Sequence, residues 1–160
     1  MRSGLYPSKK LVRANLDFQE AEMDFSSVNW LAVVVCVVVA MVSGFIWYHP
    51  AVFFKAWWQG IGKEGTDAGN ANPMIYIFTI IAAFVEAVSV ALMLNVMDVM
   101  GSNTIAGGLL TGFMLWLGFV APTNLVNKLF AGHGFKVWMI EAGNHLVNLL
   151  LFGAILAVWR

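Results

Sequence analysis

Glu141, Asn144, His145 and Asn148 fall at i, i+3, i+4 and i+7 in the run EAGNHLVN, inside an otherwise apolar segment near the C-terminus. Residues of these types can do chemistry together. A carboxyl and an imidazole exchange protons or hold a cation, and carboxamides supply both donors and acceptors. On a helix each residue turns about 100°, so the four occupy about one quarter to one third of the circumference. The spacing writes one polar stripe. Such a stripe cannot face hydrocarbon, where an ionisable group costs about 2.5–3.5 kcal/mol even on lenient scales. It must face other helices or a wet cavity.

Depth along the segments suggests partners. At about 1.5 Å per residue from Phe135, Glu141 lies roughly 9 Å along its segment and Asn148 roughly 20 Å. The preceding apolar segment runs the other way, which brings Thr123 and Asn124 near the level of Glu141. A segment starting at Pro73 carries Glu86 about 20 Å inward, level with Asn148. The expected track has Lys128, Lys136 and His49 at its mouth. Thr123, Asn124, Asn127 and Glu141 come next, and Asn144, His145, Asn148 and Glu86 lie deeper. Pro122 should kink its helix and free the Gly118 carbonyl, which Asn124 or Glu141 satisfies or which is offered to an ion or water. Two readings compete for the cluster. Intramembrane carboxylates point to function by default. Asparagines across helices equally serve as hydrogen-bond glue, worth about 0.6 kcal/mol per contact. HExxH-type spacing is absent and no second histidine lies near His145 in sequence, so no metal or other cofactor is expected.

The elements that must position these residues are set by composition. The chain has 160 residues, 60% hydrophobic and 11% charged. A soluble domain averages about 45–50% apolar and about 25% charged. This much apolar surface cannot be hidden in a soluble core, so the expected solvent is lipid. The formal net charge is zero, which gives no sign of nucleic acid. The single cysteine, Cys36, excludes a disulfide within the chain and reads as a small packing residue.

Four apolar segments reach the roughly 20 residues that a bilayer requires. They run from Val28 to Tyr48, Pro73 to Met97, Thr104 to Val126 and Phe135 to Trp159. Asn72-Pro73 reads as an N-cap and first helical residue. Gly101-Ser102-Asn103 reads as a turn that also offers a cap, and Gly132-His133-Gly134 separates the last two segments. Loops this short make segments two, three and four antiparallel to their neighbours. Gly60 to Asn72 is the longer, glycine-rich link. Gly108 and Gly112 match the small-xxx-small packing pattern and should let the third helix approach a neighbour within the bundle, as Gly143 and Gly153 should on the fourth. Trp30, Trp47, Trp138 and Trp159 mark segment ends, where amphipathic rings favour the interface. After Pro50, the run through Trp57 and Trp58 reads as a segment lying in the interface, with Lys55 free to reach headgroups. The fold class is therefore all-α, a bundle of four transmembrane helices over 28–160 with a short interfacial segment after the first.

Residues 1–27 are polar. A signal peptide does not fit their mixed charge. They read either as an amphipathic or disordered tail, or as lying upstream of a biological start at Met23. The choice decides orientation. With the full tail, basic residues balance across the membrane. From Met23, Arg160 alone stands against Lys55, Lys63, Lys128 and Lys136, and the positive-inside rule puts both termini outside.

The run WYHPAVFFKAWW, directly after a first segment beginning NWLAV, resembles the small membrane proteins of the domain-of-unknown-function family numbered 1761. Its members look like four-helix membrane proteins with an aromatic-Tyr-x-Pro motif ending helix one, then Phe and Lys-x-Trp. The matching positions are Trp47, Tyr48, Pro50, Phe53, Lys55 and Trp57. Phe54 stands where the family often has glycine. A polar fourth helix, often acidic or histidine-bearing, fits Glu141 and His145. The resemblance covers Asn29 to Trp159. It implies the fold and an integral, multi-pass location, with a bacterial inner or plasma membrane expected, and no activity.

No phosphate loop, nucleophile elbow or triad order is present, so no enzyme is expected. Two functions stand. One is a small proton, cation or solute permeation protein using Glu86, Glu141 and His145, oligomeric because four spans are few for a pathway. The other is an accessory or assembly subunit of a larger membrane complex, with the polar cluster as glue. An enzyme acting on a lipid or quinone ranks last. The bilayer is the one partner that composition itself requires.

Overall fold

Valine-rich Trp30–Trp47 could have been a buried strand by composition. Its length makes it a helix, and the Asn29 side chain caps it, accepting from the Leu31 and Ala32 amides at 3.1 Å. The computed structural model describes residues 25–65, 72–98 and 104–159. Within them the chain forms α1 (Trp30–Trp47), α2 (Phe54–Gly60), α3 (Pro73–Asp98), α4 (Ile105–Leu115), α5 (Ala121–Phe130) and α6 (Gly134–Val158). A π-helical turn, Trp116–Val120, joins α4 to α5, so the two form one interrupted span. Four helical stretches are long and apolar enough to cross a membrane. Most of the N-terminal tail and the Gly101-Ser102-Asn103 turn lie outside the described residues.

The expected punctuation is largely visible. The Asn72 side chain accepts from the Met74 amide at 3.0 Å, one residue past Pro73. Thr104 itself caps α4, its hydroxyl accepting from the Gly107 amide. The third span runs four residues beyond Val126, to Phe130. Pro122 is absorbed by the preceding π turn, in which the Ala121 amide reaches back to the Trp116 carbonyl. The Asn124 amide is spent on Glu141 rather than on the Gly118 carbonyl.

α6 is the hub. It packs against α1, α2, α3, α4, α5 and the π turn, whereas α3 touches α4 only sparingly. Its closest neighbour is α4. A Cβ built on Gly108 would strike the Gly153 carbonyl, and one on Gly112 the Leu149 carbonyl. Backbone thus lies on backbone along this antiparallel seam, as small-xxx-small spacing permits. Gly143 gives room to a side chain instead, the Trp47 indole.

The two halves of the bundle differ. At one end a dry core joins Ala32, Val33 and Cys36 of α1, Ala87, Val90 and Leu94 of α3, and Phe152 and Leu156 of α6. Toward the other end α3 leaves the bundle. Every residue from 72 to 82 is exposed, on all sides of the helix. Apolar side chains all round are stable there only in lipid or under a partner.

Candidate functional site

Among the described residues the polar stripe of α6 is met by Ser43 of α1, Trp57 of α2, Glu86 of α3, and Asn124 and Lys128 of α5.

Glu141 begins the stripe. Its Oε2 pairs with Lys128 Nζ at 2.7 Å, and its Oε1 accepts from the Trp57 indole at 2.9 Å. The Asn124 amide donates to the same carboxylate at 3.5 Å. Three elements, α2, α5 and α6, are thus tied by one side chain. Tyr48 stacks edge-on against Trp57 at 5.1 Å between ring centroids. Burial first, and then the Glu141 charge, push the Tyr48 phenol well above its ordinary range, so it stays a neutral O–H. The resemblance motif therefore ends on Glu141: Trp57 bonds it and Tyr48 lies beside it. Trp47 closes on Phe53 at 4.7 Å and donates to the Ile140 carbonyl at 2.9 Å. Phe54, which opens α2, is buried and stacks on Trp58 at 5.2 Å. No residue but glycine takes a positive φ among the described residues, so a side chain at 54 meets no backbone strain.

Deeper, the partners run short. Asn144 is buried and donates to Ser43 Oγ at 3.2 Å. His145 Nδ1 lies 4.0 Å from Glu86 Oε1, too far for a hydrogen bond. The His145 side chain is 44% exposed and that of Glu86 26%, although the His145 Nδ1 atom itself is buried and unpartnered. Asn148, only 6% exposed, has an orphaned Oδ1, and so does Asn124.

Of the residues the sequence grouped together, the structure brings Asn124 to Glu141 and Glu86 to within 4.0 Å of His145, with Asn144 and Asn148 buried on the same helix. Thr123 and Asn127 are exposed and join none of these contacts. Lys136 is exposed too, and the His49 ring accepts from the Ala51 amide. Two residues escaped the sequence reading, and a third makes a bond that it did not foresee. Ser43 on α1 meets Asn144. Trp116 donates to the Ala142 carbonyl at 2.7 Å. Trp138 does not serve only as an interface marker; it donates to the Ala121 carbonyl at 2.9 Å, beside Pro122. The composition signal was there, since an indole N–H inside a bundle must find an acceptor.

Four apolar spans, one of them carrying a polar stripe, define a small polytopic membrane protein. A model of a protein family of unknown function, DUF1761, matches residues 31–157, and the chain belongs to that family. No curated protein and no solved structure matches it.

Proposed function

We propose that this protein admits a proton or small cation into the membrane along the polar stripe of α6, with Glu86 and His145 as the groups that receive it. One observation carries the proposal: the two ionisable side chains, on α3 and α6, are 4.0 Å apart within the apolar spans, without a hydrogen bond between them. Folding alone gives little reason to keep a carboxyl and an imidazole so placed, and intramembrane ionisable pairs commonly mark ion or proton routes. Glu141 has a different part. With Lys128, Trp57 and Asn124 around it, it holds α2, α5 and α6 together. Passage to the far side requires the dry core to open, and two or more copies of the chain are expected to act together. The test is flux in proteoliposomes across protons and a panel of small cations. Wild-type flux above that of empty vesicles, abolished by Glu86→Gln in a protein that still folds, is the expected result. Wild-type flux equal to that of empty vesicles across the panel overturns it.

A second reading draws on α3. Ile75, Ile77, Phe78, Ile80 and Ile81 are all bare, and an apolar helix without neighbours suits a subunit that packs into a larger complex. On that reading a partner copurifies at fixed stoichiometry in mild detergent. A lone protein of uniform size argues against it.

A further inference from the structure

We propose that the end of the bundle carrying α2 is a docking surface for the headgroups of anionic phospholipids, with Lys55, Lys63 and Lys136 as its charges. This surface is separate from the Glu86–His145 pair. The basic residues among the described ones are Lys55, Lys63, Lys128 and Lys136, and all four lie at this end. Lys128 is neutralised by Glu141. The other three are exposed and join no ion pair among the described residues. Glu64 is the one described acid exposed at this end, so an excess of positive charge remains.

Packing carries these charges to one end from distant parts of the chain. A Cβ on Gly60 would strike the Val137 side chain, so the end of α2 lies against the first turns of α6. Lys63 follows Gly60 by three residues, and Lys136 precedes Val137 by one. Phe54 and Trp58 form the buried face of α2, which leaves Lys55 and Gln59, one turn apart, on its exposed face. Lys63 Nζ lies 4.4 Å over the Trp58 ring. A cation held on an aromatic face is positioned and still keeps its N–H donors for an acceptor. Lys136 is opposed by its own helix. It stands in the first turn of α6, where the helix dipole disfavours a positive charge and no acidic residue offsets it. The same end is also apolar, with Phe53, Phe130 and Phe135 exposed. Lysines interleaved with bare aromatic rings suit the headgroup region of a bilayer, and an anionic leaflet attracts each such lysine. A free anion would use the lysines alone.

The experiment places the full chain in phosphatidylcholine bilayers and reads quenching of its tryptophan fluorescence by lipids with dibrominated acyl chains. Dibrominated phosphatidylglycerol is compared with dibrominated phosphatidylcholine at equal mole fraction. At low salt phosphatidylglycerol should be favoured about threefold or more in relative association constant, and the preference should fall toward one in about 0.5 M sodium chloride. Lys55→Gln, Lys63→Gln and Lys136→Gln combined should remove it. Lys55→Arg, Lys63→Arg and Lys136→Arg combined should keep it, because arginine retains the charge. Equal quenching by the two lipids in the wild type, or a preference that survives the glutamine variant, overturns the proposal. Loss of the preference to inorganic phosphate at matched ionic strength overturns it too, since the ligand would then be a free anion. If the glutamine variant does not fold, the wild type decides: a preference unchanged by salt overturns the proposal. Neither readout requires transport, so a failure of flux and a failure of lipid docking are distinguishable.

Discussion

Glu141 and Glu86 are both carboxylates within apolar spans, yet their surroundings are opposite. Glu141 is met by a cation, an indole N–H and an amide from two other elements. Glu86 has only an imidazole at 4.0 Å. A carboxylate that engages three donors is part of the architecture, because removing it strands its partners. A carboxylate left short of donors holds little together and is free to exchange what it binds. Position in a membrane span therefore does not separate a structural acid from a working one. The number of donors around it does.

Substitutions at these residues and their neighbours test the contrast. Glu141→Gln should be the most damaging, destabilising the protein by about 2–3 kcal/mol in denaturant titrations in detergent, since it leaves Lys128 unpaired in a half-buried site. A double-mutant cycle with Lys128→Met should return a coupling of about 1–2 kcal/mol; a coupling near zero would mean that the pair is merely adjacent. Trp57→Phe keeps the ring and loses one charge-assisted bond, so about 1–2 kcal/mol is expected in the same titration. Glu86→Gln should move stability by no more than about 0.5 kcal/mol while abolishing flux, and a loss comparable to that of Glu141→Gln would place Glu86 among the structural acids. Smallest of all, Thr123→Ala and Asn127→Ala should change neither stability nor flux measurably, since both residues are exposed.

Much of this arrangement was legible beforehand. Length and hydropathy gave four spans, Asn72-Pro73 a helix start, and the i, i+3, i+4, i+7 spacing a single stripe. Depth along each span placed Asn124 beside Glu141. Depth alone misjudged Thr123 and Asn127, because neighbours in sequence differ by about 100° around a helix. Asn124 and Lys128 share one face at i, i+4, and Thr123 and Asn127 share the next. The π turn before Pro122 also shifts the phase of α5 relative to α4, which periodicity read as one continuous helix cannot register. The rule that sends tryptophans to the interface marked helix ends at Trp47 and Trp138, but it says nothing of which carbonyl an inward indole will find, and Trp47, Trp116 and Trp138 all find backbone acceptors. The parting of α3 left no sequence mark at all, since its bare first half is as apolar as its buried second half.

The hub position of α6 bears on biogenesis. α6, which packs against every other helix named above, leaves the ribosome after all of them. Spans inserted before it have only the α1–α3 contact and a few α3–α4 contacts to hold them together. Insertion and assembly are thus separated in time, as the two-stage view of membrane folding has it. A nascent chain halted before Gly134 should be membrane-embedded yet loosely associated, and open to quality-control proteolysis until α6 arrives.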